Sequence, residues 1–146
     1  MRTTPFRLAL AAAVSALVAA CGLLDNPQPS TASIQVSGTA GTPVQVILSK
    51  SFVAAEVAGG GADIQIFSAD TLNTTLPVDT VLSISVEQQF YVQVAPAAGD
   101  GTLSAHIRIA VDNKAKVDGD RSVSETVPFR YVWVFNSNIT SINQVI

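Results

Sequence analysis

Residues 102–112 read TLSAHIRIAVD. Leu103, Ala105, Ile107, Ile109 and Val111 alternate with Ser104, His106, Arg108 and Ala110. A helix would scatter such residues around its axis, because it turns about 100° per residue, whereas a strand puts every second side chain on one face. The stretch is therefore a strand with one buried and one polar face, the pattern of antiparallel sheets.

The same period recurs along the chain. SIQVSG sets Ile34 and Val36 against Ser33, Gln35 and Ser37; PVQVILS puts Val44, Val46 and Leu48 together; ADIQIFS does so for Ile64 and Ile66. TVLSISVEQ opposes Leu82, Ile84 and Val86 to Ser83, Ser85 and Glu87, and FYVQVAP aligns Phe90, Val92 and Val94. FVAAEV, residues 52–57, reads as one helical turn or a short strand. The clusters SGTAGTP, AGGGAD, APAAGDG and DNKAKVDGD supply turn residues between these segments. Seven or eight short strands in about 115 residues predict an all-β domain over residues 34–146, a single antiparallel β-sandwich of immunoglobulin-like or related topology, with a closed barrel as the alternative. The Cys and Trp arrangement of true immunoglobulin domains is absent.

Composition agrees and narrows the function. Charged residues are 13% of the chain and hydrophobic ones 48%. Apart from Arg2 and Arg7, the chain carries 6 basic and 11 acidic side chains, a net −5. Without a basic stripe there is no footprint for a phosphate backbone, so nucleic acid is not an expected partner. One cysteine permits no internal disulfide and no cysteine-based zinc site. No cofactor is expected.

The amino-terminal residues are a separate unit. MRTTPFR carries two arginines and no acid, and Leu8 to Ala20 form an uninterrupted run of apolar and small residues. A basic head, an apolar middle and a small-residue end are the parts of a secretory signal peptide, here residues 1–20. Thirteen residues fall short of the roughly 20 that span a bilayer. The run ends in Val18-Ala19-Ala20-Cys21, which resembles the lipobox of bacterial lipoproteins. The resemblance implies cleavage before Cys21, a diacylglyceryl group on its thiol and a further acyl chain, such as palmitate, on its amine. Two or three chains anchor stably where one does not. Gly22 in place of an aspartate implies sorting to the outer membrane, facing the periplasm, or to the cell surface. Residues 21–33, with Pro27 and Pro29, read as the lipidated cysteine and a flexible tether of roughly 20 Å reach.

Few residues suggest chemistry. His106 lies on the polar face of its strand beside Arg108 and reads as a surface histidine. Asp112, Asp118 and Asp120 offer oxygen ligands for calcium, but their spacing departs from the D-x-[DN]-x-[DN]-G loop. Their ordinary reading is a solvated hairpin loop with Asp118-Gly119 as its turn. Gly59 to Gly61 precede a strand, not the helix that a phosphate cradle requires. The Asn-x-Thr triplets at Asn73 and Asn138 read as loop composition. The most specific feature is FRYVWVF, where Phe129, Tyr131, Trp133 and Phe135 share one face with about 6.6–6.8 Å between neighbours. On one reading this ladder fills the core. On the other it is an exposed platform for sugar rings, a peptide or another partner, with Arg130 nearby.

Leu76-Pro77, AAGDG and IRIAVDN are similar to a pattern in the periplasmic domain of mycobacterial small membrane proteins, β-sandwich accessory subunits of lipid-exporting transporters. The resemblance implies an accessory role in the cell envelope. Val78 stands where those proteins have an aromatic, Asn113 replaces a glycine, and a lipobox replaces a membrane helix, so no functional residue is carried over. The expectation is a lipid-anchored, non-catalytic envelope protein acting as an accessory or adaptor module for an envelope protein. The alternative is a glycan- or ligand-binding module using the Phe129–Phe135 ladder.

Overall fold

A computed structural model describes residues 28–58, 61–99, 101–139 and 141–146. The signal peptide over 1–20, Cys21 and the first half of the tether lie outside the described residues. Nine strands follow: β1 Thr31–Ser37, β2 Pro43–Val57, β3 Gly61–Thr75, β4 Val78–Ser83, β5 Gln89–Pro96, β6 Thr102–Val111, β7 Lys114–Ser124, β8 Phe129–Val134 and β9 Ser141–Val145. They form one sheet of order β4-β1-β6-β7 and one of order β8-β5-β2-β3-β9. Every pairing is antiparallel except that of β3 with β9, which is parallel. The protein is all-β and sandwich-like, with the five-stranded sheet curled into a half-barrel whose outer strands, β8 and β9, approach each other. In the immunoglobulin order the first two strands share a sheet; here β1 and β2 lie in different sheets.

The alternation read from the sequence builds the space between the sheets. Ile34, Val36, Val46, Phe90, Val92, Val94, Ile107 and Ile109 have no exposed surface, and Leu103, Ala105 and Val111 are buried with them. A second, smaller core lies on the other face of the curled sheet, where Phe52, Ala62, Ile64, Tyr91 and Val132 pack under Ile142 and Val145 of β9. β5 is therefore buried on both faces, Phe90 in one core and Tyr91 in the other. Residues 52–57 are strand, the second half of β2.

Three boundaries differ from the sequence reading. β1 begins at Thr31, and Ala32 is fully buried, so the last three residues of the expected tether belong to the sandwich. Val86 is 85% exposed because the chain turns after Ile84 and returns as β5. The hairpin between β6 and β7 turns at Asp112-Asn113, both in the left-handed region with φ 45° and 65°. Positive φ at both central residues is the requirement of a two-residue type I′ turn, which Asp and Asn tolerate. Asp118 and Gly119 sit inside β7 opposite Arg108 and Ile107. That register places Val117 and Val123 opposite Ile109 and Leu103, apolar against apolar.

Asp112 also fixes the start of the domain. Its carboxylate accepts from the amides of Ser30 and Thr31 at 3.0–3.2 Å and from both their hydroxyls. These bonds, the Thr31 amide first and the Ser30 amide next, hold its carboxyl below the usual carboxylate range.

The adjacent pair Phe90 and Tyr91 tests the two-core arrangement. Phe90→Ala and Tyr91→Ala are each expected to lower stability by about 3–5 kcal/mol in urea unfolding. A neutral Tyr91→Ala would show that the outer face of β5 is not a core.

Candidate functional site

The long hairpin of β2 and β3 changes faces partway along. Val44, Val46 and Leu48 point between the sheets, whereas Phe52 points into the outer core. Residues four apart on a regular strand share a face, so the strand must gain a residue between Leu48 and Phe52. It does so in a bulge. Leu48 pairs with Asp70 and Ser51 with Ser68, then Phe52 with Ile66, so that Ser49 and Lys50 of β2 stand against Ala69 alone, and Phe67 is an extra residue on β3. Side chains tie the bulge down. Ser49 is the buried polar residue of the core; its hydroxyl donates to the Ser68 carbonyl at 2.6 Å and accepts from the Ser51 amide at 3.1 Å. The Gln89 side-chain amide donates to the carbonyls of Lys50 and Phe52 at 3.0 and 2.9 Å.

Bulges re-aim side chains beside binding sites, and this one floors a cleft of about 440 Å³. Leu48, Phe52 and Leu82 give it apolar walls, Phe67 stands 62% exposed at its rim, and Asp70 lines it. Lys50 closes one side by pairing with Glu87 at 3.3 Å and donating to the Ser83 carbonyl at 3.2 Å. A backbone hydrogen bond, with help from Lys50, holds the Glu87 carboxyl below its usual range. A low-lying, ion-paired carboxylate is a poor general base.

The same bulge marks where β3 loses its outer neighbour. β9 pairs with Gly61–Ile64, and Ile66 donates to the carbonyl of Ile146. From Phe67 to Thr75, among the described residues, β3 pairs only with β2. All nine residues of this edge are exposed. The edge carries no Lys, Arg or Pro; of the devices that blunt a free strand it has the charge of Asp70 and the bulge at Phe67.

The aromatic ladder packs inward. Phe129, Tyr131 and Trp133 lie against the main core, with Phe90 centred 6.0 Å from Tyr131 and 5.8 Å from Trp133, the latter pair stacked. Phe135 continues the row 6.2 Å from Trp133. All four are half-buried, and Val132 on the opposite face is buried in the outer core. Arg130 is exposed on that opposite face, donating to Gln93 at 3.1 Å. The structure thus brings the four aromatics together but sets Arg130 away from them.

The calcium candidates are not brought together. Asp112 is committed to Ser30 and Thr31 at the hairpin tip, whereas Asp118 and Asp120 lie well down β7. There they clamp His106, whose Nε2 is 2.8 Å from Asp118 and whose Nδ1 is 2.9 Å from Asp120. Arg108 Nε adds a 3.6 Å contact to Asp118. Two carboxylates on two ring nitrogens favour the doubly protonated imidazolium. Hydrogen bonds donated by the ring to Asp120 and then to Asp118 raise the His106 pKa above its ordinary 6.5. Period-two alternation placed His106 on the polar face but could not supply its partners, which depend on the register of β7.

The SKS interruption at residues 49–51, inside an otherwise apolar run, is the sequence signal that points to the bulge. Compared with known proteins, the chain matches no family model, no curated protein and no solved structure.

Two measurements follow from this geometry. Ser49→Ala leaves the Ser51 amide and Ser68 carbonyl without their partner and is expected to lose about 1–3 kcal/mol, read in urea unfolding. Because His106 titrates higher in the folded chain than in the unfolded one, its pairs stabilise fully below pH 6.5 and fade as pH rises through the raised value. Wild type should therefore exceed His106→Gln in urea midpoint at acid pH, the gap narrowing at alkaline pH. A pH-independent gap would show that the clamp does not hold an imidazolium.

Proposed function

We propose that this chain is a lipid-anchored, non-catalytic protein of the cell envelope, matured by removal of residues 1–20 and held by Cys21. In this reading the β-domain is an adaptor that receives an extended segment of an envelope protein along β3. The lipobox supports the anchoring. The single observation that carries the docking role is the open edge from Phe67 to Thr75, beside the cleft floored by the bulge. An incoming strand would satisfy the unpaired backbone groups of that edge, and its inward side chains would enter the cleft between Leu48 and Leu82. Addition of a strand to a free sheet edge derives affinity from the backbone and specificity from alternate side chains. The inward-packed ladder, with Phe90 across its inner face, supports a structural use of the aromatics over a sugar platform.

The test is a photoreactive residue at Thr71, on the open edge, compared with one at Ser104, on the polar face of the other sheet, in intact cells. One defined envelope protein is expected to crosslink through position 71 and not through 104. Equal capture from both positions, or from neither, would overturn the edge as the docking surface. Cys21→Ser should release the chain from the membrane fraction; retention would overturn the anchor.

A further inference from the structure

The cations of the described residues are unevenly engaged. Lys50 is paired with Glu87, Arg108 with Asp118, Arg130 with Gln93, and Arg121 with the carbonyl of Asp120. Lys114 and Lys116 are exposed and have no such partner among the described residues. Both sit at one pole of the molecule. They line a shallow groove of about 430 Å³ with Trp133, Phe135, Pro29 and Asp112. The one acid in the groove, Asp112, spends its oxygens on Ser30 and Thr31. The groove therefore joins two half-exposed aromatic rings to two unpaired ammonium groups on a chain whose remaining charge is acidic.

Pro29 places this groove at the point where the chain enters the domain. Ser30 lies nine residue steps beyond Cys21, a length of at most about 30 Å when fully extended and roughly 15–18 Å as a coil. The radius of gyration expected for a domain of this size is about 13–14 Å. A lipid on Cys21 thus keeps the Ser30 pole close to the headgroups. Tryptophan, whose ring has a polar N–H tip, and lysine are residues that settle at a membrane–water interface, and lysines are drawn to anionic lipid; Phe135 adds apolar surface beside Trp133.

We propose that the groove of Lys114, Lys116, Trp133 and Phe135 docks on the anionic phospholipid headgroup layer of the membrane holding the Cys21 lipid, an inference that rests on the lipoprotein reading above. The domain then lies against the bilayer at a fixed tilt, with the β3 edge on a different strand pair from the docked pole.

Trp133 is the chain's single tryptophan and reports directly. The full-length protein, purified from its host and checked by mass spectrometry for acylation of Cys21, is reconstituted into vesicles of phosphatidylethanolamine and phosphatidylglycerol. The acyl chains are brominated near the headgroup. Trp133 emission is expected to shift to the blue and be quenched. Raising the salt, replacing the anionic lipid with phosphatidylcholine, or introducing Lys114→Glu with Lys116→Glu should each reverse the quenching. Both lysines are exposed, so the double variant leaves the core intact. Acylated protein whose emission is neither shifted nor quenched overturns the docking while leaving the lipoprotein reading in place. Quenching indifferent to salt and to both lysines also overturns it. A blue shift without quenching, growing with protein density, would mean that a second copy covers the groove, and it overturns the proposal as well. An unacylated Cys21 overturns the lipoprotein reading and the docking together.

Discussion

The hydroxyl of Ser49 holds the turn-over point of the longest hairpin in the molecule, and the two-core architecture depends on it. Without the extra residue there, Leu48 and Phe52 would face the same side, and one of the two cores would lose its contribution from β2. A bulge strips backbone groups of their ladder partners, and unpaired buried groups are expensive. Ser49 and Gln89 answer that demand from two directions, one along the hairpin and one from the neighbouring β5. The fold thus places polar side chains where the β2–β3 ladder is interrupted.

The half-barrel follows from the same switch. Once β2 and β3 present Phe52, Ala62 and Ile64 to the outer face, that face must be covered. The carboxy-terminal strand covers it by pairing parallel to β3, but β9 is five residues long and β3 fifteen. The uncovered remainder of β3 is the open edge, and the bulge cleft lies at the junction. Core formation and the open edge therefore share one cause.

Much of this was legible in the alternation. Ile34 with Val36, Val44 with Val46, and Leu103 through Val111 could be assigned to a buried face because a period of two has no other solution. The turn at Asp118-Gly119 was misplaced because that dipeptide and Asp112-Asn113 are both good turn formers, and local preference does not rank them. Register does. A turn at 118–119 would set Lys114 opposite Val123 and leave β6 without β7, whereas the observed turn matches Val117 to Ile109. Val86 continued the alternation past the end of β4, where the chain had already turned. The outer core was hidden for a different reason: Tyr91 falls on the face opposite Phe90, Val92 and Val94, alternation left open which face of the Phe129–Phe135 strand is buried, and only the curl of the sheet makes both Tyr91 and Val132 interior. The clamp on His106 likewise needed the pairing of β6 with β7, a long-range fact that no local window contains.

The strand at which the described chain begins has mechanical meaning. β1 is interior to its sheet, bonded to β4 on one side and β6 on the other, and Asp112 grips its first residue and the one before it. Tension applied through the preceding residues would run along the axis of β1 and meet both hydrogen-bond ladders in shear. Edge strands peel apart one rung at a time; a central strand pulled lengthwise must break its rungs together.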